Sequence, residues 1–303
     1  MNAYRFKIPL VSPLKLKGKT YSHREGVLLE RDGQWAEASP LPGFSSETID
    51  DVIAALRGAQ ENPASLKFAL SALDESFSAP VEVPWNYLLL GDREQVLSGV
   101  EKCKASDCRA VKLKVGSREM HAAISLVKEI HEMLPDNMQL RIDANQTWTL
   151  PDAARFCKAL KDIELEYIEE PLQDSSQLEK LYSRTGVKYA LDETLLYHDS
   201  IESWPNVAAL ICKPTILGGR EAVDRLAATG KPVVFSAAFE SGVGIARIAQ
   251  LAAEFSPQIP AGLDTLDWLT EDLLENSPVK RGGKFMVLET PKVDATLLER
   301  IEL

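Results

Sequence analysis

The chain has 303 residues, 45% of them hydrophobic and 26% charged, and its 34 basic and 45 acidic side chains give a net charge of −11. This length allows two domains or one large α/β domain with an appendage, and the acidic balance argues against nucleic acid or an anionic membrane as the main partner. No stretch approaches the roughly 18 apolar residues that span a bilayer, and the N-terminus has no signal-peptide core. We therefore expect a cytoplasmic protein with no obligate protein partner evident.

Cysteine and histidine usage argues against a zinc site and against histidine chemistry. No two cysteines form a CxxC pair or another zinc-ligand spacing, so we expect reduced structural residues. No histidine ends a predicted strand, which is where catalytic groups of a parallel barrel lie. The residues concerned are Cys103, Cys108, Cys157, Cys212, His23, His121, His131 and His198.

Residues 1–84 lack a regular alternation of strands and helices, and they predict a separate α+β capping domain. The stretch GVLLERDGQWAEA (26–38) predicts a hairpin around Asp32 and Gly33. Two later stretches, DDVIAALRGA (50–59) and LKFALSALDESF (66–77), have helical spacing.

From about residue 85, short apolar runs alternate with runs of helical spacing. This alternation predicts a parallel sheet, and about eight repeats, spaced roughly 20 to 30 residues apart, predict closure into a barrel. We expect an α/β protein with a TIM-like (β/α)7β barrel over residues 85–274, preceded by the capping domain. Residues 275–303 return to strand-like sequence and are expected to pack back on the capping domain. The predicted strands lie at 86–92, 108–116, 139–145, 165–171, 187–193, 207–215, 232–241 and 261–269.

One predicted strand carries two lysines on the same face. In AVKLKVG (110–116) the apolar side chains alternate with Lys112 and Lys114, so the period is two residues. Barrel strands are covered on both faces, and we expect the apolar side chains to pack outward against helices. The two lysines must then point inward, towards something polar.

Polar side chains recur where the successive predicted strands end. Parallel barrel strands bring these ends to one face, which holds the active site. Each residue alone has an ordinary explanation, such as a solvated edge, a helix cap or a turn. Three acidic strand ends between two lysine-bearing strands instead favour one shared site. The residues are Lys112, Lys114, Asp143, Glu169, Glu170, Asp192, Glu193, Lys213, Ser236 and Asp264.

These residue types favour a divalent cation and a basic lysine. Carboxylates gathered in one site repel one another unless a cation neutralises them, and oxygen ligands favour Mg2+, with Mn2+ as the alternative. Lysines beside such a cation, and beside each other, have their charged forms disfavoured, so that one can act as a general base. The predicted chemistry is removal of a proton next to a carboxylate, with the metal stabilising the ene-diolate. The predicted partner is a small-molecule carboxylate substrate.

Several stretches resemble the enolase superfamily, and the resemblance covers nearly the whole chain. The Lys-x-Lys pair at 112–114, with Lys213 four strands on, is similar to the muconate-cycloisomerase branch rather than the histidine-based mandelate-racemase branch. Within that branch the chain resembles the o-succinylbenzoate synthase family of menaquinone biosynthesis. The stretches are AEASPLPGFSSET (36–48), whose SPLPGFSSET part is the most specific, RIDANQTW (141–148), YIEEPL (167–172), ALDETL (190–195), ICKPT (211–215) and GLDTLDWL (262–269).

The resemblance implies that Asp143, Glu169 and Asp192 ligate the metal. It selects Glu169 rather than Glu170, because the ligand of the family precedes the Glu-Pro pair. The fold that it implies is the same barrel with an N-terminal cap, and the cofactor is Mg2+.

The resemblance also implies roles for the three lysines. Lys114 would remove the proton α to the substrate carboxylate and, once protonated, help the hydroxyl leave as water. Lys213, on the opposite side, would stabilise the enolate and stack on the substrate ring as a cation. Lys112 would contact the carboxylate and make Lys114 easier to deprotonate.

Substrate contacts are implied less directly. Arg141 and Asn145 flank the first ligand and would orient substrate or water. The segment SAAFESGVG (236–244) departs from the more serine-rich run of similar enzymes, so the substrate-binding role of Ser236 stays open. The loop at 17–25 would close over the site and exclude water.

The implied reaction is that of a carbon–oxygen lyase: dehydration of 2-succinyl-6-hydroxy-2,4-cyclohexadiene-1-carboxylate to o-succinylbenzoate. An N-acylamino-acid racemase, a dipeptide epimerase or a cycloisomerase of the same branch remains an alternative, since two opposed lysines suit racemisation as well as elimination. A further alternative is a non-catalytic, metal-dependent binding protein that kept the barrel. The paired lysines argue against it, because binding alone does not need two bases.

Overall fold

The structure is a computed structural model that describes residues 1–16, 18–198 and 200–303. It opens with three antiparallel strands, followed by two helices. The predicted hairpin is confirmed: Asp32 and Gly33, with φ of 53° and 77°, form the turn between the second and third strands. Positive φ at both positions gives the turn the twist of the strands that it joins. These elements are β1 (Asn2–Leu16), β2 (Lys19–Arg31), β3 (Gln34–Ala38), α1 (Ile49–Leu56) and α2 (Ala64–Asp74).

The first strand and the start of the second differ from the prediction. Residues 19–25 were expected in a loop that closes over the site, but they belong to β2, and Lys17 of that loop lies outside the described residues. Strand β1 was not predicted: Phe6, Ile8 and Leu10 alternate with exposed residues, but prolines at positions 9 and 13 interrupt its hydrogen bonding. The register between β1 and β2 shifts between Pro9 and Leu14, which accommodates the interruption.

Strands β5 to β11 form the parallel sheet. Within the described residues it has seven strands that follow one another in sequence order, as expected where each crossover returns beside the previous strand. The strands of this region are β4 (Val81–Pro84), β5 (Asn86–Leu89), β6 (Ala110–Lys114), β7 (Gln139–Asp143), β8 (Tyr167–Glu169), β9 (Tyr189–Leu191), β10 (Val207–Cys212) and β11 (Val233–Phe235). The helices are α3 (Arg93–Ala105), α4 (Met120–Met133), α5 (Leu150–Ala159), α6 (Leu178–Thr185), α7 (Pro214–Leu217), α8 (Arg220–Ala227) and α9 (Gly242–Phe255).

Ala261 and Gly262 close this sheet in place of a regular eighth strand. Asn86 N donates to Ala261 O at 2.9 Å on one edge, and Ala237 N donates to Gly262 O at 2.8 Å on the other. The predicted α/β fold, a (β/α)7β barrel behind an N-terminal α+β cap, is confirmed. The eighth predicted strand shortens to these bridges, and Leu266–Trp268 form a turn of 3-10 helix.

The C-terminal residues pair with earlier parts of the chain. Strands β12 (Val279–Arg281) and β13 (Lys284–Val287) form a hairpin, and β13 pairs with β4. Strand β14 (Glu299–Ile301) pairs with β1 of the N-terminal sheet. The domain limits 1–84, 85–274 and 275–303 stay predictions. No helix among the described residues is long and apolar enough to cross a membrane.

The outer face of β6 is apolar, as its alternation predicts. Val111, Leu113 and Val115 are fully buried in the large core cluster, together with Val127 and Ile130 of α4. The four cysteines are buried free thiols in the same cluster. Packing on this side directs Lys112 and Lys114 to the barrel interior.

A glycine at the end of β6 allows a close approach to the neighbouring loop. A Cβ atom at Gly116 would lie 2.4 Å from the backbone oxygen of Ala144, directly after β7. We expect Gly116→Ala to lower the free energy of unfolding by about 1–3 kcal/mol, as overpacking does. Urea unfolding followed by circular dichroism measures this loss, with Ser117→Ala at the exposed neighbouring position as control. Equal stability of the two variants would show that the loop after β7 shifts freely.

Candidate active site

The strand register places the predicted charged residues in two layers inside the barrel. In the upper layer Lys114 pairs with Asp143, and Asp143 pairs with Glu169 across β6, β7 and β8. Two residues earlier, Lys112 pairs with Arg141, which pairs with Tyr167. Asp192 and Lys213 follow directly after β9 and β10, so both lie at the same end of the barrel as the upper layer.

Each of the three predicted metal ligands has a lysine partner. Lys112 Nζ donates to both carboxylate oxygens of Glu169 at 3.2 Å. Lys114 Nζ lies 3.2 Å from Asp143 Oδ2, and Lys213 Nζ forms an ion pair with Asp192 Oδ2. The contact to Asp143 Oδ2 lacks hydrogen-bond geometry, so this buried oxygen has no donor within the described part of the chain.

These ion pairs favour the charged forms of Lys112 and Lys213. Burial lowers the pKa of Lys112, but Glu169 and Asp143 outweigh it, and the net shift is upward. Burial likewise lowers the pKa of Lys213, and Asp192 and the neighbouring carboxylates reverse the shift. Lys112 and Lys213 therefore keep their charged forms in this arrangement, because the carboxylates contact their ammonium groups directly. The expectation of disfavoured charged forms applied to lysines beside a cation, and it stays a prediction.

The pKa values of Asp143 and Glu169, which are register partners, shift in opposite directions. Burial raises the pKa of Asp143, but Lys114, Lys112 and Lys213 outweigh it and hold that pKa well below its usual range. Burial and the charge of Asp143 raise the pKa of Glu169. Asp143 therefore stays ionised, while Glu169 is protonated more easily than an ordinary glutamate.

The three predicted ligands, Asp143, Glu169 and Asp192, have the donor atoms that a divalent cation needs, but their side chains are not arranged around one point. Among residues 1–16, 18–198 and 200–303, no three His, Cys, Asp or Glu side chains stand in metal-ligating positions, since each predicted ligand is drawn to a lysine. The chemistry of the donors nevertheless fits a hard cation: Asp143, Glu169 and Asp192 are buried carboxylates on neighbouring strands, and Asp143 Oδ2 has no donor.

Glu170 points away from this centre. Its carboxylate accepts hydrogen bonds from Asp192 N at 2.8 Å and from Thr194 N at 2.7 Å. With φ of 41°, the Glu170 backbone turns its side chain towards the loop after β9 rather than towards Lys112. The geometry thus gives Glu170 a supporting role for the loop that carries Asp192, which agrees with the choice of Glu169 as ligand.

Glu193 is a buried acid to which the sequence gave no role. Burial and the charge of Asp192 raise its pKa to about 7, and its Oε2 atom has no partner. Asn145 Nδ2 donates to its other oxygen at 3.2 Å, and Asn145 N donates to Asp143 Oδ1 at 3.1 Å. Asn145, predicted to bind substrate, therefore connects two acids of the site. The position of Glu193 directly after Asp192 was the available sequence signal.

Arg141 lies deeper than the predicted substrate contact requires. Its side chain is fully buried in the lower layer, where it forms an ion pair with Glu166 and donates to Asn86 Oδ1 at 3.0 Å and Pro260 O at 2.7 Å. These partners join the first strand of the barrel to the segment that closes it. Arg141 lies one layer below Asp143, because residues two apart on a barrel strand occupy successive layers, and its substrate contact stays a prediction.

The charged residues open into a pocket of about 580 Å3. Lys112, Lys114 and Lys213 lie on its polar side, and Ser236 is part of its lining. Its remaining walls come from loops and from the N-terminal sheet. These lining residues are Leu16, Leu41, Phe44, Asn86, Leu88, Ala237, Ala238, Phe239, Gly262, Asp264 and Thr265.

Two lining features were not assigned from the sequence. Leu41 and Phe44 belong to the SPLPGF stretch, which was singled out without a structural role, and the Phe44 ring lies 5.8 Å from Lys213 Nζ. Asp264 was included among the polar strand ends, but its carboxylate accepts from Leu88 N at 2.9 Å and pairs with Lys280. Asp264 therefore fixes the closing segment of the barrel.

Comparison with known proteins places this geometry in a family. Residues 95–291 match the family described as enolase C-terminal domain-like, and residues 1–73 match the MenC N-terminal domain. An o-succinylbenzoate synthase of Edwardsiella ictaluri is 32% identical over 91% of this chain and 93% of its own.

Solved structures show the same fold. The L-Ala-D/L-Glu epimerase from Bacillus subtilis superposes with a TM-score of 0.80 at 18% identity, over 99% of this chain and 97% of its own. An o-succinylbenzoate synthase from Thermosynechococcus elongatus, complexed with Mg in the active site, superposes with a TM-score of 0.75 at 22% identity, over 90% and 95% of the two chains. The chain belongs to the enolase superfamily and carries a MenC-type N-terminal domain.

Proposed function

We propose that this chain is an o-succinylbenzoate synthase, a carbon–oxygen lyase that acts in menaquinone biosynthesis. Its substrate is 2-succinyl-6-hydroxy-2,4-cyclohexadiene-1-carboxylate, and its products are o-succinylbenzoate and water. The observation that carries the proposal is the pair of lysine positions, four strands apart, facing one pocket beside three buried carboxylates. The relatives over nine-tenths of the chain support this choice of substrate.

In the proposed reaction Lys114 takes the proton from the substrate carbon that bears the carboxylate. The electrons of that C–H bond form the new ring double bond as the bond to the hydroxyl breaks. The Lys114 ammonium returns its proton to the departing oxygen, so that water leaves and the ring becomes aromatic. Lys213, across the pocket, faces the negative charge that develops on the carboxylate.

Mg2+ is the proposed cofactor, with Asp143, Glu169 and Asp192 as its ligands; when bound, it supplies charge stabilisation at the substrate carboxylate. These three carboxylates are also the ion-pair partners of Lys112, Lys114 and Lys213. A cation held there would share these anions with the ammonium groups, which would favour the neutral lysine that a general base requires. The cation and the lysines are thus linked through the same carboxylates.

A second candidate is another enzyme of the same branch, such as an epimerase, racemase or cycloisomerase. Lys114 and Lys213 face one pocket from opposite strands, and this arrangement also suits removal and return of a proton on opposite faces. The fold does not separate the two candidates, since an epimerase shares it.

The direct test supplies the purified protein with the cyclohexadiene substrate and Mg2+. We expect the ultraviolet absorbance to change as the aromatic product forms, and we expect a chelator to stop the change because the carboxylates then lose their cation. Absorbance that stays constant with and without chelator would contradict the synthase assignment. Incubation of amino-acid derivatives in deuterium oxide then tests the epimerase and racemase candidates.

Removal of the proposed base gives a second prediction. We expect Lys114→Ala to lower turnover by at least about a thousandfold, within the range for loss of a general base. Steady-state kinetics measure the effect, with Lys128→Ala on the exposed face of α4 as control. Turnover of Lys114→Ala close to that of the control would exclude Lys114 as the base.

The choice between neighbouring glutamates gives a third prediction. Loss of an outer partner costs roughly 10- to 100-fold in metal affinity, and we expect Glu170→Gln to stay within this range. Glu169→Gln removes a charged ligand and should weaken Mg2+ binding further. Isothermal titration calorimetry with Mg2+ compares the two. Stronger loss in Glu170→Gln would mean that the wrong glutamate has been assigned.

A further inference from the structure

The two apolar walls of the pocket are distant in sequence and meet at one buried arginine. Leu41 and Phe44 belong to the loop after β3, and Ala238 and Phe239 belong to the loop after β11. Arg24 of β2 lies between the two loops with only 3% of its surface exposed. A charged side chain so deeply buried needs a full set of partners.

All the hydrogen-bond acceptors of Arg24 are backbone carbonyls that flank these walls. Its Nε donates to Phe239 O at 3.0 Å, its Nη1 to Pro40 O at 2.9 Å and its Nη2 to Ser39 O at 3.0 Å. A guanidinium is planar and presents its donors in a fixed fork. The three bonds therefore fix the main chain of one loop relative to the other.

Glu37 holds the same wall at a second point. This fully buried carboxylate of β3 accepts from Ser241 N at 3.1 Å and from Gly244 N at 3.1 Å, at the start of α9. It also accepts from Ser39 Oγ at 2.6 Å, next to the carbonyl that Arg24 contacts. The loop after β11 is thus attached to the N-terminal sheet before and after Glu240.

We propose that Arg24 is a positioning residue that locks the SPLPGF loop (39–44) and the SAAFE loop (236–240) into one substrate-binding wall. The wall is apolar, and it fits the ring and methylene groups of a substrate whose carboxylates face the lysines. The identity of this occupant rests on the proposed function. The clamp, by which we mean the three hydrogen bonds that join the two loops through Arg24, does not. Because Arg24 makes no hydrogen bond to the lysines or to the three carboxylates among the described residues, its loss should weaken substrate binding more than it slows the chemical step.

Kinetics of three variants test this role. Arg31 lies on the same strand, but it is only partly buried and pairs with Asp74, so Arg31→Met is the matched control. We expect Arg24→Met to raise KM roughly tenfold or more, in keeping with the loss of several charge-assisted hydrogen bonds, while kcat changes little. Arg24→Lys keeps the charge without the fork, and we expect an intermediate KM. This variant also serves as the test if Arg24→Met does not fold.

Hydrogen exchange measured by mass spectrometry tests the clamp without any substrate. Ala238 N and Ser241 N are hydrogen-bonded to buried carboxylates, and we expect segment 236–244 to exchange faster in Arg24→Met than in Arg31→Met. Segment 207–215, which carries Lys213, should exchange equally in both. If the wild-type protein does not turn over the cyclohexadiene substrate, the proposed function fails, and the exchange comparison still decides on the clamp.

Two results would overturn the clamp. One is exchange of segment 236–244 in Arg24→Met that equals exchange in Arg31→Met. The other is a fall in kcat with unchanged KM, which would show that Arg24 acts on the chemical step and not on the wall.

Discussion

Carboxylates of like charge lie side by side at the mouth of the barrel, and cations must lie among them. Asp143 and Glu169 are register partners on adjacent strands, and each is at most 1% exposed. Burying one ion costs several kcal/mol unless a counter-charge is close. Lysines on β6 and directly after β10 supply that counter-charge. Asp143, which forms ion pairs with both Lys112 and Lys114, keeps its negative charge, while the pKa of Glu169 is raised. The proposed divalent cation would offer the same compensation from a single point, and it would compete with the lysines for the same oxygens.

This competition connects the fold to the chemistry. The strands hold Lys114, Asp143 and Glu169 in one layer through backbone pairing, so their separation does not depend on flexible loops. Two further residues hold the surrounding segments in place. Glu170 accepts hydrogen bonds from backbone amides of the loop that carries Asp192. Arg141, in the layer below, bonds to the segment that closes the barrel. Lys114, the proposed base, is thereby held in place and would need little reorganisation for proton transfer.

Features with a local sequence period were predictable, and features that depend on packing between distant segments were not. The two-residue alternation of AVKLKVG gave the direction of both lysines, and the Asp32–Gly33 turn gave the hairpin, since both depend on neighbouring residues alone. Strand β1 was missed although buried Phe6, Ile8 and Leu10 alternate along it, because prolines are unusual inside a strand; its pairing with β2 shifts register after Pro9. The contacts of Arg141 were not predictable for a different reason: its neighbours along the strand say nothing about which residues of other strands its side chain meets. The charge state of the lysines depends on carboxylates from other strands, which no single stretch of sequence displays.

The charged centre and the apolar walls of the pocket are built separately, and this separation bears on which reaction the site performs. The charged residues stand on β6 to β10, whereas the walls come from loops that Arg24 joins. In the proposed elimination, the hydroxyl must leave on the side of Lys114, and Lys213 need only face the developing charge. In a racemisation both lysines must reach the same carbon from opposite faces. Elimination and racemisation therefore differ in where the walls hold that substrate carbon between the two lysines, and a displacement of about 1 Å is enough to matter. It follows that the residues that choose between the reactions are to be sought in the loops at 39–44 and 236–240, and not among the lysines and carboxylates that both reactions share.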